Sequence, residues 1–233
     1  MSDRVVLITA AGSGMGADFA RRAASDGYQV ALLSSSGKAE ALAAELGGIA
    51  VTGSNRSTDN LERLVSATFE KWGRIDAVVN SAAHGPKGVV SSLSDQDWLD
   101  GMEIYFLNVA RIARLVTPIM QEQGGGAIVN ISTYGVVQPS TLFPTSSVMR
   151  AALRSYTKIY AQTHAANKIR MNNVLPGFVN SMEMEADWMK LIPMGRFAEM
   201  SEISGLLSYL ISDEAAYITG QDIVIDGGIT NSL

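Results

Sequence analysis

The chain has 233 residues, a formal net charge of −5, no cysteine and two histidines. The absence of cysteine excludes disulfides, thiolate metal sites and a cysteine nucleophile. The acidic balance argues against a nucleic-acid partner, which would require clustered Lys and Arg, and no apolar run approaches the length of a membrane span. No cluster of His, Asp and Glu indicates a metal site. A short polar start leads directly into an apolar segment, so we expect no signal peptide and a cytoplasmic location.

Apolar strand-like segments alternate with helix-like segments from end to end. The predicted strands, in chain order, are Val5–Ile8, 28–33, Ile49–Thr52, 75–79, 127–131, 169–175 and Asp222–Ile225. The predicted helices are 17–26, Lys38–Leu46, Thr58–Trp72, 95–123, 146–166 and 201–212. This alternation predicts right-handed βαβ units. We therefore expect an α/β fold with a single Rossmann-type domain over 1–233, a doubly wound parallel sheet of about seven strands with helices on both faces.

The least regular segment, 180–199, follows a strand end where doubly wound sheets bind ligands. It is therefore a candidate substrate lid, with Met182 and Trp188 as candidate substrate contacts. Its methionines give it a flexible apolar character, although the stripe of a core-facing helix is an equally simple interpretation. The acidic residues Glu183, Glu185 and Asp187 predict attraction for a cationic substrate such as an amine or iminium.

A glycine-rich turn follows the first predicted strand and reads Thr9-Ala-Ala-Gly-Ser-Gly-Met-Gly16. Glycines let a backbone approach a pyrophosphate closely, and the start of the next helix offers free N–H groups to an anion. The alternative is a turn that merely packs helix against strand. Its place after the first strand of an alternating chain favours a phosphate-binding turn.

Several motifs along the chain resemble those of the short-chain dehydrogenases/reductases. The turn that ends at Gly16 resembles their T-G-x-x-x-G-x-G turn, with Ala10 at the first glycine. Asn80-Ser-Ala-Ala83 resembles their N-N-A-G turn, and Pro176-Gly177 resembles the P-G turn after the sixth strand. Further similarities are the strand that ends at Ser132, Asn108 in a long helix, and the C-terminal third of the chain. The resemblance implies a Rossmann-type fold and a nicotinamide dinucleotide cofactor.

The resemblance also places the cofactor contacts on the turns that follow the strands. The candidate cofactor-binding residues are Thr9, Gly12, Ser13, Gly14, Met15, Gly16, Ser34, Ser35, Ser36, Asn55, Asn80, Ala82, Arg150, Pro176, Gly177, Val179 and Ser181. The second strand leads into Ser34–Ser36 and Lys38 without the carboxylate that holds the ribose 2′-hydroxyl of NAD. Hydroxyls and a lysine favour a 2′-phosphate, so NADP is expected rather than NAD. Ser13 stands where a basic residue would assist binding of the 2′-phosphate, which argues against NADP. If the serine segment is only a polar turn, the choice between NADP and NAD stays open.

The catalytic pattern implied by the family is Asn, Ser, Tyr and Lys, and here it is broken. Arg150-Ala-Ala-Leu153 resembles the family's K-A-A-L, which puts Ser146 at the tyrosine position and Thr133, next to Ser132, at the serine position. The candidate catalytic residues are therefore Asn108, Ser132, Thr133, Ser146 and Arg150. Serine is far less acidic than a phenol, and arginine cannot act as a proton-relay amine.

Three functions stay open at this stage. The first is a reductase or dehydrogenase with an unusual proton donor, in which His84 or Tyr134 lies near the substrate, or with an electrophilic C=N substrate. The second is a dinucleotide-binding sensor or structural protein without turnover. The third is non-redox chemistry like that of the halohydrin dehalogenases, which resemble the family but keep the tyrosine. The family resemblance also implies a homotetramer or homodimer acting on a small molecule.

Overall fold

The computed structural model describes residues 4–181 and 186–231. Within these residues, seven parallel strands form one sheet in the order β3-β2-β1-β4-β5-β6-β7. The strands are β1 (Val5–Ile8), β2 (Gln29–Ser34), β3 (Ile49–Thr52), β4 (Ala77–Asn80), β5 (Gly126–Ile131), β6 (Ile169–Pro176) and β7 (Asp222–Ile225). The reversal of strand order at β1 and β4 creates a crevice at their carboxyl ends, which is where open α/β sheets bind ligands.

Helices cover both faces of the sheet. They are α1 (Gly14–Ser25), α2 (Lys38–Leu46), α3 (Thr58–Trp72), α4 (Asp95–Met102), α5 (Asn108–Glu122), α6 (Pro144–His164), α7 (Ala186–Met189) and α8 (Met200–Ile211). Apolar residues of α1, α2 and α8 pack with one face of the strands, and those of α3, α5 and α6 pack with the other. The predicted fold class and helix placement are confirmed, whereas the single-domain boundary stays a prediction.

The segment predicted as one helix over 95–123 contains an irregular turn. A π-helical turn, Glu103–Leu107, separates α4 from α5. Asn108 follows it at the start of α5, and its Oδ1 accepts the Val109 N–H at 2.8 Å. An asparagine amide competes with the backbone for hydrogen bonds, which explains why the regular pattern breaks here. π-helical turns of this kind are frequent at functional sites, and this one carries the buried Tyr105.

A row of hydrogen-bonded polar side chains crosses four strands beneath α6. Asn80, Asn130, Asn173 and Asp222 are register partners on β4, β5, β6 and β7. Asn80 Nδ2 donates to Asn130 Oδ1 at 2.9 Å, Asn130 Nδ2 donates to Asn173 Oδ1 at 2.9 Å, and Asn173 Nδ2 donates to Asp222 Oδ1 at 2.7 Å. Buried amides require such partners. The row therefore holds four strands in one register.

The helix α6 is attached to this row by two of its side chains. Thr157 Oγ1 donates to Asn173 Oδ1 at 3.0 Å, and Arg154 Nε pairs with Asp222 Oδ2 at 2.6 Å. These contacts fix the rotation of α6 over the sheet. They therefore also fix the positions of Ser146 and Arg150, which lie farther toward its N-terminus on the same helix.

Asn130→Ala should lower the free energy of unfolding by about 3 kcal/mol, because it leaves the Asn80 amide without its acceptor in the interior and removes one of the two donors to the Asn173 carbonyl. Chemical denaturation of the wild type and variant measures this loss. Asn167→Ala, at an exposed position after α6, is the control and should change stability by less than about 0.5 kcal/mol. Equal stability of the two variants would contradict the structural role of the row.

Candidate active site

Two adjoining hollows lie at the carboxyl ends of the central strands. The larger, called the cleft, has a volume of about 560 Å³ and is bounded by the turns after β1, β2 and β3. The smaller, called the cavity, has a volume of about 160 Å³ and lies between the turns after β4, β5 and β6 and the start of α6. Ser81, Ala82, His84 and Ser181 line both hollows. A long molecule in the cleft can therefore present one end to the cavity.

The glycine turn after β1 forms one wall of the cleft and leaves no room for side chains. A Cβ on Gly12 would lie 2.3 Å from Ser34 Oγ, and one on Gly16 would lie 2.7 Å from the Ala10 carbonyl oxygen. Gly14 has a φ of 57°, in the left-handed region that glycine adopts without strain. Glycine is therefore required here by close contacts and by backbone conformation.

The start of α1 faces this glycine turn. Ser13 is its N-cap residue, and its side chain makes no capping bond. The first N–H groups of a helix have no partner within the helix, and the helix dipole favours negative charge at that end. The cleft therefore combines close backbone approach with unpaired donors, which suits a pyrophosphate.

Serine side chains line the far end of the cleft. Ser34, Ser35 and Ser36 contact it, and the Ser36 N–H donates to Ser34 Oγ at 3.3 Å. The helix α2 begins just beyond them, and its N-cap residue Gly37 has no side chain to cap it. Arg56 also lines the cleft. The Arg56 guanidinium is already paired with the Asp100 carboxylate, so the hydroxyls and the helix N-terminus are the groups that suit a second phosphate.

The floor of the cleft is fixed by bonds to the Ser81 backbone. Thr9 Oγ1 donates to the Ser81 carbonyl at 2.9 Å and accepts the Ser81 N–H at 3.1 Å. Asn55 Nδ2 donates to the same carbonyl at 3.2 Å. The turns after β1, β3 and β4 are thereby tied together, which keeps the cleft at a fixed width.

A buried guanidinium forms part of the cavity wall. Arg150 Nη1 donates to the Ile131 carbonyl, and its Cζ lies 4.6 Å from the centre of the Tyr105 ring. Burial lowers the pKa of Arg150 to about 10, against the opposing influence of Tyr105. No carboxylate among the described residues pairs with Arg150. At neutral pH the cavity therefore contains a positive charge without a paired anion.

Three hydroxyl side chains lie beside this charge. Ser132, Thr133 and Ser146 line the cavity, and Thr133 Oγ1 accepts the Gly135 N–H at 3.2 Å, which leaves its own proton free to be donated. Ser132 Oγ and Arg150 Nε are buried and have no partner in the described part of the chain. Unpartnered buried donors are costly, and such atoms commonly mark ligand sites.

Aromatic rings also line the cavity. Tyr134, Phe143, Phe178 and Trp188 line it, with Trp188 stacked on Phe178 at a centroid distance of 5.1 Å. Burial raises the pKa of Tyr134 above its usual value, so its phenol stays protonated. Burial and the charges of Lys87 and Arg150 lower the pKa of His84, so its imidazole is neutral at pH 7.

Comparison with known proteins agrees with this geometry. The family model described as enoyl-(acyl carrier protein) reductase matches residues 9–230. The human dehydrogenase/reductase SDR family member 4 is 30% identical over 249 residues, covering 100% of this chain and 90% of the human protein. The chain belongs to the short-chain dehydrogenase/reductase family. Its members are oxidoreductases that use NAD or NADP.

Other members of the short-chain dehydrogenase/reductase family are similarly close. A D-threitol dehydrogenase from Mycolicibacterium smegmatis is 32% identical over 244 residues, covering 99% of this chain and 94% of that protein. A 3-oxoacyl-(acyl-carrier-protein) reductase from Thermotoga maritima is 29% identical, covering 98% of both chains. The solved structure of L-sorbose reductase from Gluconobacter frateurii with NADPH and L-sorbose has a TM-score of 0.91 at 25% identity, covering 99% of this chain and 97% of that one.

Most of the residues predicted as site residues of this dehydrogenase/reductase line the two hollows. Those that line the cleft are Gly12, Ser13, Gly14, Met15, Ser34, Ser35, Ser36, Asn55, Ala82, His84 and Ser181. Those that line the cavity include Ser132, Thr133, Ser146, Arg150, Pro176, Gly177, Val179, His84, Tyr134 and Trp188. Met182 and most of the acidic part of the candidate lid fall outside the described residues, so the lid stays a prediction.

Four predicted site residues lie behind the walls of the cleft and cavity. Thr9, Asn80 and Asn108 are buried and bonded to neighbouring protein groups, and Gly16 packs against the Ala10 carbonyl. None of them is among the residues that line either hollow. In this structure they position the turns that form the walls. Lys38, the cation expected beside the second phosphate, is also absent from the lining.

Sequence reasoning missed several residues that form the walls of the site. Tyr105 faces Arg150 from the π-helical turn, and Arg56 lines the cleft instead of Lys38. Lys87 and Phe143 line the cavity. Lys87 stands three residues after His84 in the loop that follows β4, so its position at the carboxyl edge was the available signal. Nothing in the sequence identified Tyr105 as a site residue, because the regular helix predicted over this segment does not include the π-helical turn that carries Tyr105.

Gly12→Ala should weaken NADPH binding by about tenfold, because the new methyl group must displace Ser34 from the cleft wall. Calorimetric titration with NADPH measures the change. Gly205→Ala is the matched control, since a Cβ at Gly205 meets nothing within 4 Å. An unchanged affinity in Gly12→Ala would show that the dinucleotide does not use this turn.

Proposed function

We propose that the protein is an NADP-dependent reductase of small carbonyl compounds, with a hydroxyl and guanidinium site in place of the usual tyrosine and lysine. The observation that carries this proposal is the junction of the two hollows. The glycine-turn cleft opens onto a cavity in which Thr133, Ser146 and the buried Arg150 converge. A dinucleotide in the cleft and a carbonyl compound in the cavity would therefore meet.

The cleft fits a dinucleotide phosphate on three grounds. Its glycine turn admits a backbone–pyrophosphate contact, Ser34–Ser36 and the α2 N-terminus suit a 2′-phosphate, and no Asp or Glu lines it among the described residues. A carboxylate would repel that phosphate. The L-sorbose reductase similar in fold was solved with NADPH, which supports the same cofactor here.

The cofactor supplies a hydride when it is bound, and the protein must then stabilise charge on the substrate oxygen. Thr133 can donate a hydrogen bond from its hydroxyl to that oxygen, because its own Oγ1 already accepts the Gly135 N–H. Ser146 lies on the adjacent helix and contributes a second hydroxyl to the cavity. Fixed donors aimed at a developing alkoxide are an effective form of catalysis.

Arg150 contributes charge and does not transfer a proton. Its guanidinium has no carboxylate partner among the described residues and stays protonated at neutral pH. A positive charge in a buried wall stabilises an alkoxide more strongly than one in water. The resulting alkoxide takes its proton from water that enters the cavity, so no ionising phenol is required.

Two other functions would be favoured by different experimental results. Tight NADPH binding without oxidation of any carbonyl or imine would favour a sensor or structural role. Release of halide from halohydrins without dinucleotide binding would favour dehalogenase-type chemistry.

A cytoplasmic location and a homodimer or homotetramer stay predictions. No helix in the described ranges is long and apolar enough to cross a membrane, and the described side chains form no group of three or more metal-ligating residues.

The proposed function is tested by mixing the purified protein with NADPH and a panel of ketones, aldehydes and imines. We expect loss of NADPH absorbance with at least one carbonyl compound, and a much lower rate for Thr133→Val, which keeps the shape but removes the hydroxyl. A single positioned hydrogen-bond donor of this kind contributes on the order of 10²-fold to the rate of the chemical step. Equal rates for the wild type and Thr133→Val would contradict the assigned role.

Ser36→Asp should raise the NADPH dissociation constant by about tenfold or more while sparing NADH, because a carboxylate at this edge repels the 2′-phosphate. Titrations with both nucleotides measure the selectivity. Asn167→Asp adds the same charge at an exposed position after α6 and should leave the ratio of the two constants unchanged. An unaltered ratio in Ser36→Asp would place the phosphate elsewhere.

A further inference from the structure

The charged side chains among the described residues of the cavity wall have one sign only. Arg150 and Lys87 both line the cavity, and among its described lining residues there is no Asp or Glu. This is unusual in a chain whose formal net charge is −5. Clefts lined by one sign of charge concentrate ligands of the opposite sign. The cavity therefore favours an anion.

Two acidic groups lie near this region, but neither is among the described residues that line the cavity. Asp226, which lies close enough to influence the Tyr134 phenol, accepts the N–H groups of Gly228 and Thr230 at 2.9 Å each. Asp187 pairs with Lys190 at 2.6 Å on the surface. Glu183 and Glu185 lie outside the described residues. The described wall thus does not support the expected attraction of a cationic substrate.

Lys87 is held at the side of the cavity by its loop and by an aromatic ring. Its Nζ lies 4.9 Å from the centre of the Phe143 ring, a contact that orients the ammonium group. The loop is tied down because Thr145 Oγ1 donates to the Pro86 carbonyl at 2.7 Å, and the Gly85 N–H donates to the Tyr105 hydroxyl. A carboxylate beside Phe143 would therefore meet a cation already in place.

The rest of the cavity is suited to an apolar body with one reactive carbonyl group. Tyr134, Phe178 and Trp188 form an aromatic wall. In the same cavity, the hydroxyl of Thr133 and the charge of Arg150 form the proposed carbonyl site. The imidazole of His84 is neutral because burial and the two cations lower its pKa, which agrees with a positive potential at this point.

We propose that the substrate is an oxo acid with an apolar or aromatic body, its carboxylate held near Lys87 and its carbonyl group at Thr133 and Arg150. This inference rests on the proposed function. In the reaction, a hydride from the reduced dinucleotide adds to the carbonyl carbon and the C=O π bond breaks. The oxygen takes a proton from water, so an oxo acid becomes a hydroxy acid, the dinucleotide is oxidised, and the carboxylate is unchanged.

Matched acids and esters test this assignment. Benzoylformate and 3-benzoylpropionate place the carboxylate at two distances from the ketone, and each is compared with its methyl ester. We expect at least one acid to exceed its ester by about tenfold in kcat/KM, because the interaction of a carboxylate with a positioned ammonium is lost in the ester. Esters that equal or exceed both acids would overturn the proposal.

Variants of Lys87 identify the residue responsible. Lys87→Gln should reduce the acid-to-ester ratio by about tenfold, whereas Lys87→Arg, which keeps the charge, should retain most of it. Lys71→Gln is the matched control, since its ammonium also lies over an aromatic ring, at 4.8 Å from Trp72, but outside the cavity lining. An acid-to-ester ratio that is unchanged in Lys87→Gln would show that Lys87 does not hold the substrate carboxylate.

Direct binding separates failure of this inference from failure of the proposed function. The chain has two histidines, so NMR with a His164→Gln variant assigns the His84 resonance. Benzoylformate or 3-benzoylpropionate should raise the His84 pKa, whereas the methyl esters should leave it unchanged. If NADPH is never oxidised but an acid still produces this shift, the function fails and the anion site stands. If neither acid binds by NMR or calorimetry, the anion site fails.

Discussion

The polar row across β4, β5, β6 and β7 is the constraint on which the site depends. Asn80, Asn130, Asn173 and Asp222 fix the register of four strands, and the turns that follow β4, β5 and β6 line the cavity. Because Thr157 and Arg154 bond to the same row, the helix that carries Ser146 and Arg150 is aligned with these turns. Buried amide networks of this kind specify one arrangement, because any slip leaves several groups unpartnered.

The second determinant of the site is the uncompensated charge of Arg150. Its bond to the Ile131 carbonyl and its contact with the Tyr105 ring hold the guanidinium in the wall, while no described carboxylate neutralises it. In the proposed mechanism this charge stabilises an alkoxide, and together with Lys87 it selects an anionic substrate. One electrostatic feature therefore connects the proposed replacement of the usual proton donor with the proposed specificity.

The fold was predictable because its signals are local. Buried strands such as Val5–Ile8 are continuous apolar runs, and the glycine turn marks the start of α1 by its sequence. The walls of the cavity were less predictable, since they depend on contacts between distant segments. Nothing in the spacing of 95–123 indicated the π-helical turn that directs Tyr105 toward Arg150, and Lys38 was a plausible phosphate ligand until the fold brought Arg56 to the cleft instead.

The central claim is that positive charge and hydroxyl groups, without an ionising phenol, support hydride transfer. The pH dependence of single-turnover NADPH oxidation tests it most directly. Burial raises the pKa of Tyr134, lowers that of His84 and lowers that of Arg150 to about 10. The rate should therefore be constant between about pH 7 and 9 and decrease as the pH approaches 10, where Arg150 loses its proton. A rate that changes tenfold between about pH 7 and 9 would contradict the account, because the account assigns no role to a group that ionises in this range.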